Sequence, residues 1–283
     1  MRGFLLMFLL GLPWLRADSI LQCGGPRVFE VDSADGRVTW EWDATKEPTV
    51  PEDLRAAFAT TDECKPVEGG KRCLITASSG GCAMIDRASG KVLWSARVRN
   101  AHSIELLPGN RIIVASSLGG DELLLFDVRS GDRVWWKTPL KSAHGVVWDG
   151  ETQRLHALGY DVLRTYRLAD SWTEHPALVE MKSHDLPDHD GHDLMAVPGS
   201  RDLVLSTESH VWLFDREQAV FRPHPDLHAM ESVKGISIHP KTGRIVIVQA
   251  SQGRWWSESA RLLNPPGKLD FPGEKIYKAR WAE

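Results

Sequence analysis

The feature that most constrains the fold is an internal repeat. Five windows share one order: a polar anchor, a small or polar residue, an apolar stretch, a turn, then a β-rich run. They open at Cys64-Lys65, His102-Ser103, His144-Gly145, His192-Asp193 and Lys234-Gly235, and their β-rich runs follow at 72–76, 111–114, 154–157, 202–205 and 244–248. Lys278-Ala279 repeats the opening a sixth time. The anchors lie 38, 42, 48, 42 and 44 residues apart. After His102 the apolar segments 104–107, 111–115, 122–126 and 134–137 are separated by Pro108-Gly109-Asn110, Gly119-Gly120 and Ser130-Gly131. Such turn chemistry between short β-rich segments reads as four antiparallel strands. Four strands in a unit of about 40–45 residues are the signature of a β-propeller blade.

The two ends of the chain complete the pattern. Segments 19–24, 27–31 and 38–42 supply three strands of a blade that lacks its first, and 276–281 supplies a first strand that lacks its blade. Pairing them closes a ring and hides the free edges. The expectation is an all-β, six-bladed propeller over residues 18–283, four antiparallel strands per blade, with the C-terminal strand closing the N-terminal blade. Residues 48–63, from Pro48 to Glu63, form an insertion with a helical stretch at 52–59, expected to cover one face as a small lid.

The chain has 12 Trp against 3 Tyr, and three of the Trp share one motif. Asp32, Gly36 and Trp40, then Asp86, Gly90 and Trp94, then Asp127, Gly131 and Trp135 repeat the spacing Asp-x-x-x-Gly-x-x-x-Trp. Asp starts a turn, Gly permits a positive φ, and Trp packs flat on the next blade. This motif resembles the tryptophan-docking repeats of quinoprotein-type (PQQ-like) propellers, including the outer-membrane assembly propeller. The resemblance covers three of six blades and implies architecture; no quinone site or calcium-ligand set matches. The whole chain also resembles an exported bacterial propeller family without an assigned activity.

Residues 1–17 read as a signal peptide: Arg2 gives a positive start, 4–12 an apolar run, and Ala17 a small residue at the cut. The run is too short to span a bilayer, which takes about 20 apolar residues. The expected location is therefore exported, periplasmic or secreted, with no membrane span. Formal charge is −4 from 34 basic and 38 acidic residues. Loss of Arg2 and Arg16 takes it to −6, so nothing favours nucleic acid as a partner. A monomer is expected. Cys23, Cys64, Cys73 and Cys82 contain no CxxC pair, and Cys64 and Cys73 flank a turn where a cross-strand disulfide could form.

In a propeller the first strand of each blade lines the central channel, so the anchors Cys64, His102, His144, His192, Lys234 and Lys278 should gather near one mouth. The joining loops on that face add Asn100, Tyr160, His210, Arg254, Trp255 and Trp256 as substrate-binding candidates, with Lys234 and Lys278 as anion ligands. The paired Trp offer flat surfaces for sugar rings. The segment 182–192 carries three acids and three His, which reads either as a cation-binding loop or as a solvated acidic loop.

His102, His144 and His192 are the candidate catalytic residues. One reading makes them ligands of a divalent metal (Mn, Zn or Ca) with Asp190 as a fourth, although two nearby Lys oppose a bare cation; no cofactor is required by the sequence. The other reading takes an anionic, uronate-containing glycan. Lys neutralises its carboxylate, a neutral His removes the adjacent C5 proton, and a second His or a Tyr protonates the leaving oxygen. This set is similar in kind to the channel His of oligouronide-lyase propellers, which implies β-elimination. A non-catalytic scaffold that binds a ligand or protein is the alternative. A glycoside hydrolase ranks lower because few anchors are acids, and a Cys64 nucleophile lower still.

Overall fold

The computed structural model describes residues 18–169 and 177–283, and the expected signal peptide at 1–17 lies outside them. The described residues form six four-stranded antiparallel sheets. The first blade joins Lys278–Trp281 to Ser19–Gly24, Arg27–Asp32 and Val38–Asp43. Blade 2 runs through Thr61–Val67, Arg72–Ala77, Gly81–Asp86 and Val92–Arg97; blade 3 through Ala101–Leu107, Arg111–Ser116, Glu122–Asp127 and Val134–Pro139. Blade 4 is Gly145–Asp149, Arg154–Leu158, Val162–Ala169 and Ala177–Asp185. Blade 5 is Asp193–Ala196, Asp202–Ser206, Val211–Asp215 and Val220–Pro223; blade 6 is Val233–Ile238, Ile245–Gln249, Ser259–Leu263 and Gly267–Asp270. The expected closure is present: Ile20 pairs with Trp281 and Cys23 with Lys278.

Burial follows strand position. Arg111–Ser116 is buried at every residue, whereas the outer strand Val134–Pro139 is largely exposed. Middle strands are apolar on both faces because each is pressed between neighbouring blades, so they read as continuous rather than alternating hydrophobic runs. Trp side chains tie blade to blade. Trp42 Nε1 donates to Gly90 O (3.0 Å) and Trp94 Nε1 to Gly131 O (2.7 Å), each in the following blade. In the first blade the docking residue is thus Trp42 and not Trp40, whose ring lies under the Arg87 guanidinium. Trp135 stacks with Arg133, the residue just before its strand, and its Nε1 has no hydrogen-bond partner.

Two sequence expectations change. Cys64 pairs in register with Ile75, and Cys73 with Pro66, so the two sulfurs are offset and all four thiols are free. The helical part of the insertion is a 3-10 helix, Glu52–Phe58. Phe58 is fully buried, edge-on to Trp42 at 5.8 Å, and packs against Gly81, where a Cβ would come within 2.8 Å of its ring. The insertion is therefore a wedge in the seam between blades 1 and 2. Its last residues, Thr61 to Glu63, belong to the inner strand of blade 2.

The channel is filled by charge. Arg280 Nε and Nη2 donate to Glu63 (2.9 and 2.8 Å), while Nη1 and Nη2 donate to Asp193 (2.7 Å each). Lys278 Nζ reaches Asp193 at 3.1 Å, Glu63 at 3.4 Å and the His102 carbonyl at 3.4 Å. None of the four side chains is more than 1% exposed as a residue. Despite burial, the Arg280 and Lys278 charges hold the Glu63 carboxyl down at about 2. Gly145 and Gly235 keep the inner strands close: a Cβ on Gly235 would meet the Lys278 backbone at 3.1 Å, and one on Gly145 would meet Leu194 Cβ at 2.6 Å.

Removing one member strands opposite charges without solvent, which costs about 3–5 kcal/mol. Arg280→Met is expected to lower folding stability by about that amount, measured as a denaturant midpoint shift. A loss below about 1 kcal/mol, the worth of a surface pair, would show that the cluster does not hold the ring.

Candidate functional site

One cavity of about 290 Å³ opens at the channel mouth above this cluster. It is lined by one residue from the start of each inner strand: Tyr277, Asp62, His102, His144, His192 and Lys234. Three of these positions are β-bulges. The register slips at Asp62, His102 and Lys234, so each is left unpaired and is turned inward. The approach is also repeated. Asn100, Ser142, Asp190 and Ser232, each two residues before its anchor, all have positive φ, from 46° to 61°.

This ring corrects two anchors. In blade 2 the inward residue is Asp62, two positions before Cys64, which is wholly buried with its thiol pushed up by burial. In the closing blade it is Tyr277, and Lys278 lies below in the ion cluster, out of reach of any ligand at the mouth. The spacing carried a clue: Asp62 to His102 is 40 residues, closer to the other intervals than the 38 from Cys64.

The imidazoles are close neighbours. Ring centroids are 4.3 Å apart for His102 and His144, and 5.3 Å for His144 and His192; Tyr277 lies 5.8 Å from His102. His102 Nδ1 contacts Asn100 O at 3.1 Å and His144 Nδ1 contacts Ser142 O at 2.9 Å. A carbonyl can only accept, so both Nδ1 atoms carry the proton and both Nε2 atoms keep a lone pair. Burial drives His102 down to about 3, helped by the Lys278 charge, and holds His144 well below its usual range. His192 is also lowered by burial, with Lys234 opposing Glu208. All three are neutral at physiological pH.

Two other groups move the opposite way. Burial raises Asp62 to about 7, and it raises the Tyr277 phenol well above its usual value. Asp62 Oδ2 accepts the Ser78 backbone N–H, while Oδ1 is buried without a partner. Lys234 Nζ lies 2.7 Å from His192 Nε2 and 3.0 Å from Glu208 Oε2, which is itself 2.8 Å from the same Nε2. That triangle occupies one end of the His192 ring, and Nδ1 at the other end is buried and unpartnered.

Among the described residues, the groups with donors close enough for one cation are Asp190, His192, Glu208 and, on the other face, Asp18, His239, Glu283. The three imidazoles are not one of them. The first group already has the Lys234 ammonium on two of its donors, so a metal there must displace it. In the second, His239 Nδ1 accepts the Lys241 and Thr242 amides, which leaves its proton on Nε2 and removes the lone pair a metal needs.

The remaining candidates divide. Asn100 and Trp255 line the cavity, with Trp255 47% exposed and 5.9 Å from Tyr277; Leu118, 65% exposed, forms the facing rim. Tyr160 lies outside, under Lys141. His210 bonds to Asp188 at 2.9 Å and stacks on His228. Arg254 covers Trp256, which also faces Lys275 and does not line the cavity. The acidic segment is only partly a loop, since 182–185 belong to the outer strand of blade 4.

Six blades, a charge-filled axis and a pocket at one mouth define this as a six-bladed propeller with its candidate site at that mouth. No helix among the described residues is long and apolar enough to cross a membrane. The chain belongs to a family of unknown function, DUF6528, which matches residues 27–283. No curated protein matches it in sequence.

The site's neutrality has a measurable cost. An imidazole held below its unfolded value of about 6.5 stays neutral while the unfolded chain takes up a proton. Stability supplied by His102, His144 and His192 is therefore complete above about 6.5 and is lost as pH falls toward the folded values. Asp62 has the reverse sign: its folded state holds a proton up to about 7, so it gains stability on acidification. Three groups outweigh one. The melting temperature is expected to fall between pH 7 and pH 4.5, and this pH dependence should shrink in His144→Gln; an unchanged slope in the variant would refute the assignment.

Proposed function

We propose that this protein is an exported, periplasmic or secreted, carbohydrate-active propeller that takes a uronate-containing glycan at the channel mouth and cleaves it by β-elimination. The observation that carries the reading is the convergence of His102, His144, His192, Tyr277, Asp62 and Lys234 on one cavity with Trp255 at its rim. Export rests on the signal-like sequence at 1–17.

Elimination needs a base for the proton at C5 and an acid for the oxygen leaving C4. The C5–H pair becomes the C4=C5 double bond as the C4–O bond breaks. His102 Nε2 has the lone pair and orientation for the base, held by Asn100 O. Asp62, at about 7, is better matched in proton affinity to take a proton near neutrality. Tyr277, kept protonated by burial, is suited to give its proton to the leaving oxygen. His144 and His192 then orient hydroxyls. Trp255 offers its face to the sugar ring. This route needs no cofactor; adding a chelator to the assay tests whether a divalent ion takes part.

One observation favours the alternative of a non-catalytic binding module. Lys234 is already paired with Glu208, and Lys278 is out of reach, so neutralising a substrate carboxylate requires Lys234 to exchange partners. Two-carboxylate hydrolysis fits less well, because Asp62 is the one acid among the cavity's lining residues.

Incubation with uronate-rich polysaccharides is expected to raise the ultraviolet absorbance of the unsaturated product. Tyr277→Phe and His102→Ala should each reduce the rate by about 10²-fold or more, the usual worth of a positioned acid or base. Retained glycan binding with no absorbance rise would establish the binding module instead.

A further inference from the structure

Two residues that line the cavity each carry a buried polar atom with no hydrogen-bond partner in the structure: Asp62 Oδ1 and His192 Nδ1. Burying such atoms unpaired costs about 1–3 kcal/mol each, so their pairing is a source of ligand affinity. They are not neighbours. Asp62 belongs to blade 2 and His192 to blade 5, three positions apart in a ring of six, so they face each other across the channel axis. His102 and His144 stand between them on one side, each with an accepting Nε2. On the other side stand Tyr277 and Lys234.

The cup has a floor. Lys278 beneath it donates to the His102 carbonyl and is wholly buried among Glu63, Asp193 and Arg280, so nothing passes through the axis. Its volume, about 290 Å³, is at the lower limit of pockets that hold drug-sized molecules, about 300 Å³. A long chain has no room to lie in it. The rim is apolar, with Leu118 and Trp255 exposed, and the interior is rich in acceptors. A hydroxyl both donates and accepts, so it satisfies a carboxyl oxygen and either protonation form of an imidazole nitrogen.

We propose that the site receives one terminal, ring-sized polyhydroxyl unit end-on, with its hydroxyls bridging Asp62 Oδ1 and His192 Nδ1 across the axis, while the rest of the glycan leaves past Trp255 and Leu118. The specificity-determining residues are Asp62 and His192; Lys234 acts as a positioning residue for the His192 ring. This rests on the glycan reading above and adds that recognition is confined to the chain end.

The test is titration calorimetry of the intact protein with glucuronate, its dimer and its tetramer. Affinity is expected to stay within about threefold along the series, because only one unit enters. Asp62→Ala and His192→Phe, which each remove the polar atom, should each weaken glucuronate by about tenfold, the equivalent of one hydrogen bond of about 1.4 kcal/mol. Affinity that climbs with each added unit would overturn the inference, and so would the absence of saccharide binding. The length series uses the unaltered protein, so a variant that fails to fold does not blunt the test. A length-independent affinity without unsaturated product would retire the elimination and leave the end-on cup standing; product with length-dependent affinity would do the opposite.

Discussion

Four charged side chains locked together on the axis are what the rest of this molecule depends on. Arg280 forms paired hydrogen bonds with Glu63 on one side and Asp193 on the other, and Lys278 touches both acids from above. The residues come from blades 1, 2 and 5, and Asp193 and Arg280 also bond to the backbone of blade 6 through Ile236. Apolar packing between blades is non-directional and tolerates several ring sizes. A balanced ion cluster with fixed hydrogen-bond directions is far less forgiving, since any other register leaves a bare charge in a dry interior.

The same cluster shapes the site chemically. Because it fills the channel, the mouth above is a cup with a bottom, and the groups around it are starved of water. That scarcity keeps three imidazoles and a phenol uncharged and lifts the Asp62 carboxyl toward neutrality. Lys278 contributes from below by adding positive charge under His102. A pocket whose one ammonium, Lys234, is already paired with Glu208 and whose other groups are neutral or near-neutral favours directional hydrogen bonding over long-range attraction.

The architecture was legible because blade spacing and turn chemistry are local. The Gly and Pro turns, the β-rich runs and the split terminal blade all stand in the linear order of residues. The three His anchors were legible for the same reason. Asp62 was missed because a bulge moves the inward position within a strand, and nothing in the residue types marks a bulge. Tyr277 was missed and Lys278 misplaced because the closing strand was read one residue out of phase, and in a strand one step exchanges the mouth for the interior. The orphaned atoms and the Lys234–Glu208–His192 triangle depend on side-chain geometry across three segments distant in sequence, which no spacing rule encodes. The wedge role of Phe58 was hidden similarly, since it depends on Gly81 in the facing blade.

Chain order gives the closing strand a temporal meaning. Lys278–Trp281 is the last of the described strands in chain order, yet it carries both cations of the axial cluster and follows directly on Tyr277. Until it arrives, Glu63 and Asp193 face each other uncompensated, and the pocket lacks one wall. A complete pocket is thus withheld from every form that still lacks this strand, and appears only when the circle is sealed.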